Sequence, residues 1–247
     1  MAKKSNSRAS HEYQGRKGFF GFGNPKSKIW FIGIEPGGDY NDARIKVWSK
    51  YWKPKSVVSA RSFHNQLMKV APKGEWNWFT DNGHFQSTYG NLCQIYCLAK
   101  HKSLARGNNL KQKQAGLNYQ RERFDDLCFL DLFAKAHKNR HQSHNRIRSS
   151  KTKTRTLGLL DLLKIYKPKP QLIVFYGSEF RHSCFEIYEC STLKQHNYAT
   201  SGKERLYAEG GRFHRDDHDI EVLFINHPLY ESGTTKKRVA SLIRNRL

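Results

Sequence analysis

Four short apolar runs punctuate this chain, and each stops at a residue that ends or interrupts a strand. Ile29 to Ile34 is halted by Pro36, Gly37 and Gly38, and Leu127 to Phe133 is interrupted by Asp131. Gln171 to Gly177 closes on glycine, and Glu221 to Asn226 is broken by His227 and Pro228. Runs of this kind predict strands buried on both faces. Helical spacing lies between and after them. Ser62 to Val70 places Phe63, Leu67 and Val70 on one face, and Asn91 to Lys100 reads as a buried helix. Thr156 to Tyr166 carries Leu157, Leu160, Leu163 and Ile165 and ends at Lys167-Pro-Lys-Pro170, while Ser178 to Tyr188 reads as the helix fed by the third run. The tail from Thr234 to Leu247 is an amphipathic basic helix, with Val239, Leu242 and Ile243 inward and Lys236, Lys237, Arg238 and Arg244 outward. Strands alternating with helices predict an α/β protein: a three-layer sandwich with a central, mostly parallel four-stranded sheet.

The remaining stretches read as connections. Gly15 to Gly23 sets Phe19, Phe20 and Phe22 between glycines, as a loop packing aromatic rings on the core. Residues 73–92 hold Trp76, Trp78, Phe79, Phe85 and Tyr89 among Gly, Asn, Asp and His, which is loop composition. Ala105 to Arg123 reads as polar, basic and solvent-facing, and residues 191–219 as irregular. A chain of 247 residues can bury one full core, so the expectation is a basic N-terminal arm over 1–27 and a single domain with loop insertions over 28–247.

Charge adds a partner to this picture. Forty-four Lys and Arg face 21 Asp and Glu, a formal net charge of +23. Such a field attracts polyanions, and nucleic acid, double- or single-stranded, is the commonest one for a soluble basic protein. Lys135 to Arg155 concentrates eight Lys or Arg and three His with no acid. Within it Lys138, Arg140, Arg146, Arg148, Lys151 and Lys153 read as phosphate contacts, joined by Lys236 and Lys237 of the tail helix; a solvated basic loop is the plainer alternative. The chain shows no long apolar span, secretory leader or lipidation signal, so no membrane partner is expected. Five cysteines, an odd number without secretory context, place the expected monomer in a reducing cytoplasm. Cys93 and Cys97 are not spaced as a zinc ribbon pair and read as buried free thiols.

Two strands end in chemical groups, the first in Glu35 and the fourth in His227. In open α/β sheets ligands bind beyond the carboxyl ends of the strands, which gives both residues a functional reading beside that of solvated loop groups. Asp131 is costly to bury within an apolar strand unless a backbone amide or a ligand donates to it. Phe79, Phe85 and Tyr89 are candidates for the aromatic floor beneath a flipped base, or else ordinary loop anchors. His214-Arg-Asp-Asp-His-Asp219 invites a divalent-metal nuclease reading through His214, Asp216, Asp217 and His218, against that of a hydrated loop.

Gly33-Ile-Glu-Pro-Gly37 resembles the first motif of the uracil-DNA glycosylase superfamily, and Asn226-His-Pro228 the start of its second, His-Pro-Ser. The resemblance spans most of residues 28–247. It implies that Glu35 positions or activates the water attacking the anomeric carbon and that His227 stabilises the departing base. It implies further that Asp131, where the family usually has asparagine, contacts the polar edge of the flipped base, and that Leu229 or Tyr230 wedges into the duplex. No metal or cofactor is implied. Where some branches place a ring-blocking tyrosine in the first motif, Gly37 and Gly38 leave space. An ionised Asp131 is acceptor-only and suits an exocyclic amine, which cytosine has and uracil lacks.

The reading that follows is a monofunctional DNA glycosylase that leaves an abasic site. Its expected substrate is a modified cytosine, hydroxymethylated or glucosylated, in phage DNA, as in antiviral defence. The alternatives are a uracil or mismatch repair glycosylase and a non-catalytic basic nucleic-acid-binding protein.

Overall fold

A computed structural model of the chain describes residues 19–33, 47, 56–70, 79, 86–131, 161–177, 190–200, 203–215 and 218–247. All four apolar runs contribute strands: β2 (Ile29–Gly33), β4 (Cys128–Asp131), β5 (Leu172–Tyr176) and β8 (His218–Ile225). Four further strands join them, namely β1 (Phe19–Gly23), β3 (Ser56–Val58), β6 (Cys190–Thr200) and β7 (Lys203–Arg215). Among the described residues the order is β3-β1-β4-β2-β5-β8-β7-β6, a single mixed sheet of eight strands rather than the four expected. Its central pairs, β4 with β2, β2 with β5 and β5 with β8, are parallel. The flanking pairs β1 with β4, β7 with β8 and β6 with β7 are antiparallel.

Three of the extra strands lie where the sequence reads as loop. Residues 19–23, assigned to the basic arm, pair with β4 and β3. Gly21 and Gly23 adopt φ of +149° and +103°, and a Cβ at Gly21 would stand 2.0 Å from the Phe129 carbonyl oxygen. Glycine is therefore what lets this edge approach β4, and it is also what hid the strand. Residues 191–219, read as irregular, form most of the β6–β7 hairpin and the start of β8.

The helices among the described residues are α1 (Ala60–Val70), α2 (Ser87–Lys100), α3 (Lys102–Arg106), α4 (Asn109–Arg123) and α5 (Gly233–Arg244), with a helical segment at 161–165. Alternation along the strands divides the core in two. Ile29, Phe31, Phe129, Val174 and Leu223 face one side, packed with Phe63 and Leu67 of α1, Leu92, Ile95 and Leu98 of α2 and Val239 and Ile243 of α5. Trp30, Ile32, Leu130, Ile173, Phe175 and Val222 face the other, where Leu162 and Leu163 cover them. The stretch 105–123, expected to be solvent-facing, is largely the helix α4, which buries Gln112, Gly116 and Gln120 against its neighbours.

Local polar groups fix these helices. Asp125 accepts from the Ser59 hydroxyl at 2.6 Å and the Ala60 amide at 2.8 Å, tying the start of α1 to the turn before β4. The Arg244 guanidinium, expected to point outward, instead donates to the Leu98 and Ala99 carbonyls and caps the end of α2. No helix among the described residues is long and apolar enough to cross a membrane.

Candidate active site

The parallel strands bring one residue each to a common row at their carboxyl ends. Gly33 pairs with Asp131 across β2 and β4, Ile32 with Phe175 across β2 and β5, and Tyr176 with Ile225 across β5 and β8. Asp131, Gly33, Tyr176 and Ile225 therefore stand side by side, and His227 follows two residues after Ile225. All four row positions share the sheet face covered by α1, α2 and α5, since each lies two residues beyond a core residue of that face.

Asp131 is only 2% exposed. Tyr176 is also buried, and desolvation raises its pKa well above the usual phenol value, with the nearby Asp131 charge pushing in the same direction. The phenol therefore remains protonated across the physiological range. Its far end lies directly over Gly33: a Cβ there would meet the Tyr176 Oη at 2.2 Å and Cζ at 2.3 Å. Gly33 thus makes room for a tyrosine from the neighbouring strand.

His227 packs edge-on against the same tyrosine, with ring centroids 5.9 Å apart and planes at 70°. Its Nδ1 accepts from the Leu229 amide at 3.3 Å, so the side chain caps the 3₁₀ turn Pro228–Tyr230. That hydrogen bond leaves the proton of the neutral imidazole on Nε2. An imidazole that carries its proton on Nε2 is suited to stabilising negative charge that develops on a ligand oxygen or nitrogen. Leu229, 42% exposed, projects next to it.

No family model and no curated protein matches the chain.

Other residues singled out in the sequence distribute unevenly. Tyr89 lies in the core, with its ring edge-on to Phe124 at 5.5 Å and tilted against Phe129 at 5.2 Å, two residues before Asp131 on the same face. Phe79 packs edge-on against His64 and Phe124. Lys237 lies on α5, whereas Lys236, expected outward, is half-buried and donates to Asn91 Oδ1 at 2.6 Å. The cause of that difference is α2, whose buried Asn91 offers the ammonium an acceptor on the inner side. Glu35, Gly37, Gly38, Phe85, Lys138, Arg140, Arg146, Arg148, Lys151 and Lys153 lie outside the described residues, as does the side chain of Tyr230.

Among the described residues no group of three or more His, Cys, Asp and Glu is placed to hold a metal ion. His214 and Asp219 face each other across the β7–β8 pair, and Asp219 is engaged by Arg212 at 2.7 Å. Cys93, Cys97 and Cys128 are buried free thiols whose pKa values are raised by desolvation, that of Cys97 to about 11. Sequence reasoning missed Tyr176. It is the last residue of the third apolar run before Gly177, so the rule that singled out Glu35 and His227 also applied to it.

Proposed function

We propose that this protein is a monofunctional DNA glycosylase of the uracil-DNA glycosylase type. The observation that carries this reading is the gathering of Asp131, Tyr176 and His227 at the carboxyl ends of adjacent parallel strands, on one face of the sheet. The motif resemblance calls for a base-reading group and a leaving-group donor in such a crevice, and the second and fourth runs supply Asp131 and His227.

In this mechanism a flipped base enters beside Asp131 and Tyr176. The glycosidic bond breaks with its electron pair leaving on the base, so the sugar becomes cationic and the base anionic. His227 donates from Nε2 to the charge growing on the base. Glu35 receives a proton from the water that attacks the anomeric carbon, and the base anion, held by the His227 hydrogen bond, takes its proton from solvent on release, leaving an abasic site and a neutral free base. Leu229 fills the vacated place in the stack and offsets an unstacking cost of a few kcal/mol. The strongly basic chain holds the phosphates.

The finer reading is that the base is a cytosine bearing a modification, as in phage DNA. A buried carboxylate at Asp131 accepts from an exocyclic amine, and the first motif has glycine at positions 37 and 38 where bulk would exclude a ring substituent. The test is release of base from DNAs carrying uracil, mismatched thymine, or plain, hydroxymethylated or glucosylated cytosine, read by alkaline cleavage. Release from a modified cytosine, lost in Glu35→Gln and redirected in Asp131→Asn, is the expected result. Release from uracil alone would return the enzyme to repair, and tight binding with no release from any DNA would make it a binding protein.

A further inference from the structure

Three helix N-termini converge on one cavity beside Leu229. The cavity has a volume of about 350 Å³, and Ser87, Asn109 and Gly233, the first residues of α2, α4 and α5, all line it. These helices have 14, 15 and 12 residues, long enough for each to present a full partial positive charge at its start. Gly233 sits so close to Asn109 that a Cβ would meet its Oδ1 at 2.9 Å. Helix starts normally attract Asp or Glu, yet none of these three has an acid in its first turn. The caps at Gln86, Asn108 and Ser232 each engage the amide three residues on, which leaves the amides of the first two positions of each helix without an intrahelical acceptor.

The side chains of the cavity carry the same sign. Lys113 of α4 and Lys236 of α5 both line it. Burial lowers the Lys236 pKa, and Lys113 lowers it further while Glu231 acts in the opposite sense. Asn91, also lining, accepts the Lys236 ammonium and so fixes it toward the cavity. Gln94 lies one turn further along α2 and is 5% exposed. No hydrogen bond among the described residues engages its carboxamide, so this otherwise buried side chain has its polar end open to the cavity. A built cavity with two cations, three positive helix ends and a carboxamide open to it fits one ligand chemistry, a phosphate group.

We infer that this cavity is a phosphate subsite that holds one phosphodiester of the nucleic-acid strand passing Leu229 and His227. It rests on the glycosylase reading only for the polymer that supplies the phosphate. Because α5 begins directly after the His227 turn, seating a phosphate there would also fix the position of the imidazole donor and the Leu229 wedge.

The test is binding of a fluorescein-labelled 20-mer duplex by anisotropy across a salt series. The proteins compared are the wild-type chain, Lys113→Ala, Lys236→Ala and, as a control of equal charge change at the far end of α2, Lys100→Ala. Thermal shifts in inorganic phosphate against chloride at equal ionic strength accompany it. Lys113 is exposed, so its variant keeps the test informative if Lys236→Ala folds poorly. The expected result is several-fold weaker binding by each cavity variant and a slope of log K against log salt shallower by about 1, with Lys100→Ala close to wild type. Equal slopes in all four proteins would overturn the inference and leave the glycosylase reading standing. A phosphate-induced thermal shift lost in the variants while duplex binding is unchanged would also overturn it, in favour of a small phosphate ligand. A shallower slope in a protein that releases no base would uphold the subsite and remove the glycosylase reading.

Discussion

Replacing Gly33 by alanine tests whether the row of groups at the strand ends is a fitted arrangement. Ordinary carbon contacts lie at about 3.5–4.0 Å, whereas the new methyl would stand 2.2 Å from the Tyr176 Oη and 2.3 Å from its Cζ. The phenol must therefore move by more than about 1 Å, in a place where it is buried between the sheet and His227. Overpacking of this kind costs about 1–3 kcal/mol. Tyr176→Leu removes the clashing atoms and keeps apolar bulk, so a double-mutant cycle isolates the contact. Urea unfolding of the four proteins should give Gly33→Ala a loss of about 1–3 kcal/mol in the wild-type background and a few tenths in Tyr176→Leu. If the two substitutions add to within about 0.5 kcal/mol, the tyrosine does not lie over Gly33 and the described site is wrong. Base release should fall by about 100-fold in Gly33→Ala, the expected consequence of moving a site group by about 1 Å.

Three further outcomes are expected. Asp125→Ala should lower stability by about 1–2 kcal/mol in urea unfolding, because it removes the acceptor of the Ser59 hydroxyl and the Ala60 amide, while leaving duplex binding unchanged; unaltered stability would contradict the cap. Gly116→Ala should destabilise despite alanine's better helix propensity of about 1 kcal/mol, since its Cβ would meet the Gln94 Cβ at 2.7 Å and separate α2 from α4; a stabilised variant would show that the helices are not in close contact. The folded-state pKa of Cys97 is raised from 9.0 to about 11, so its contribution is fully present below pH 9 and is lost as pH rises toward 11. Unfolding midpoints measured across that window should fall more steeply for wild type than for Cys97→Ala, and identical profiles would refute a buried thiol.

The four central strands were legible because strands buried on both faces must be apolar at every position, and a run such as Leu172 to Tyr176 has no other reading at that length. Strand β1 was not, because the glycines that permit its approach to β4 also erase its alternation. The hairpin of β6 and β7 escaped for a different reason: polar residues such as Lys194, Gln195 and Asn197 lie at exposed positions and break the apolar pattern. At the site, Asp131 and His227 stood out as polar groups in or after apolar runs. Tyr176 did not, because a tyrosine inside such a run passes as core until its hydroxyl is found over Gly33 beside a carboxylate. The inward turn of Lys236 depends on Asn91, 145 residues away in sequence, and no local pattern announces it. The cavity at the three helix starts is hidden in the same way, since each start reads alone as a polar connection.

In the proposed reaction a base is released through charge stabilisation by His227 at the carboxyl ends of the parallel strands. The most direct measurement is single-turnover abasic-site formation by wild type and His227→Ala on the best DNA substrate, with duplex affinity measured alongside. His227→Ala should lose about 10²–10³-fold in the rate of release with affinity within a few-fold of wild type. Release undiminished in His227→Ala, or no release by the wild-type protein from any base, would contradict it.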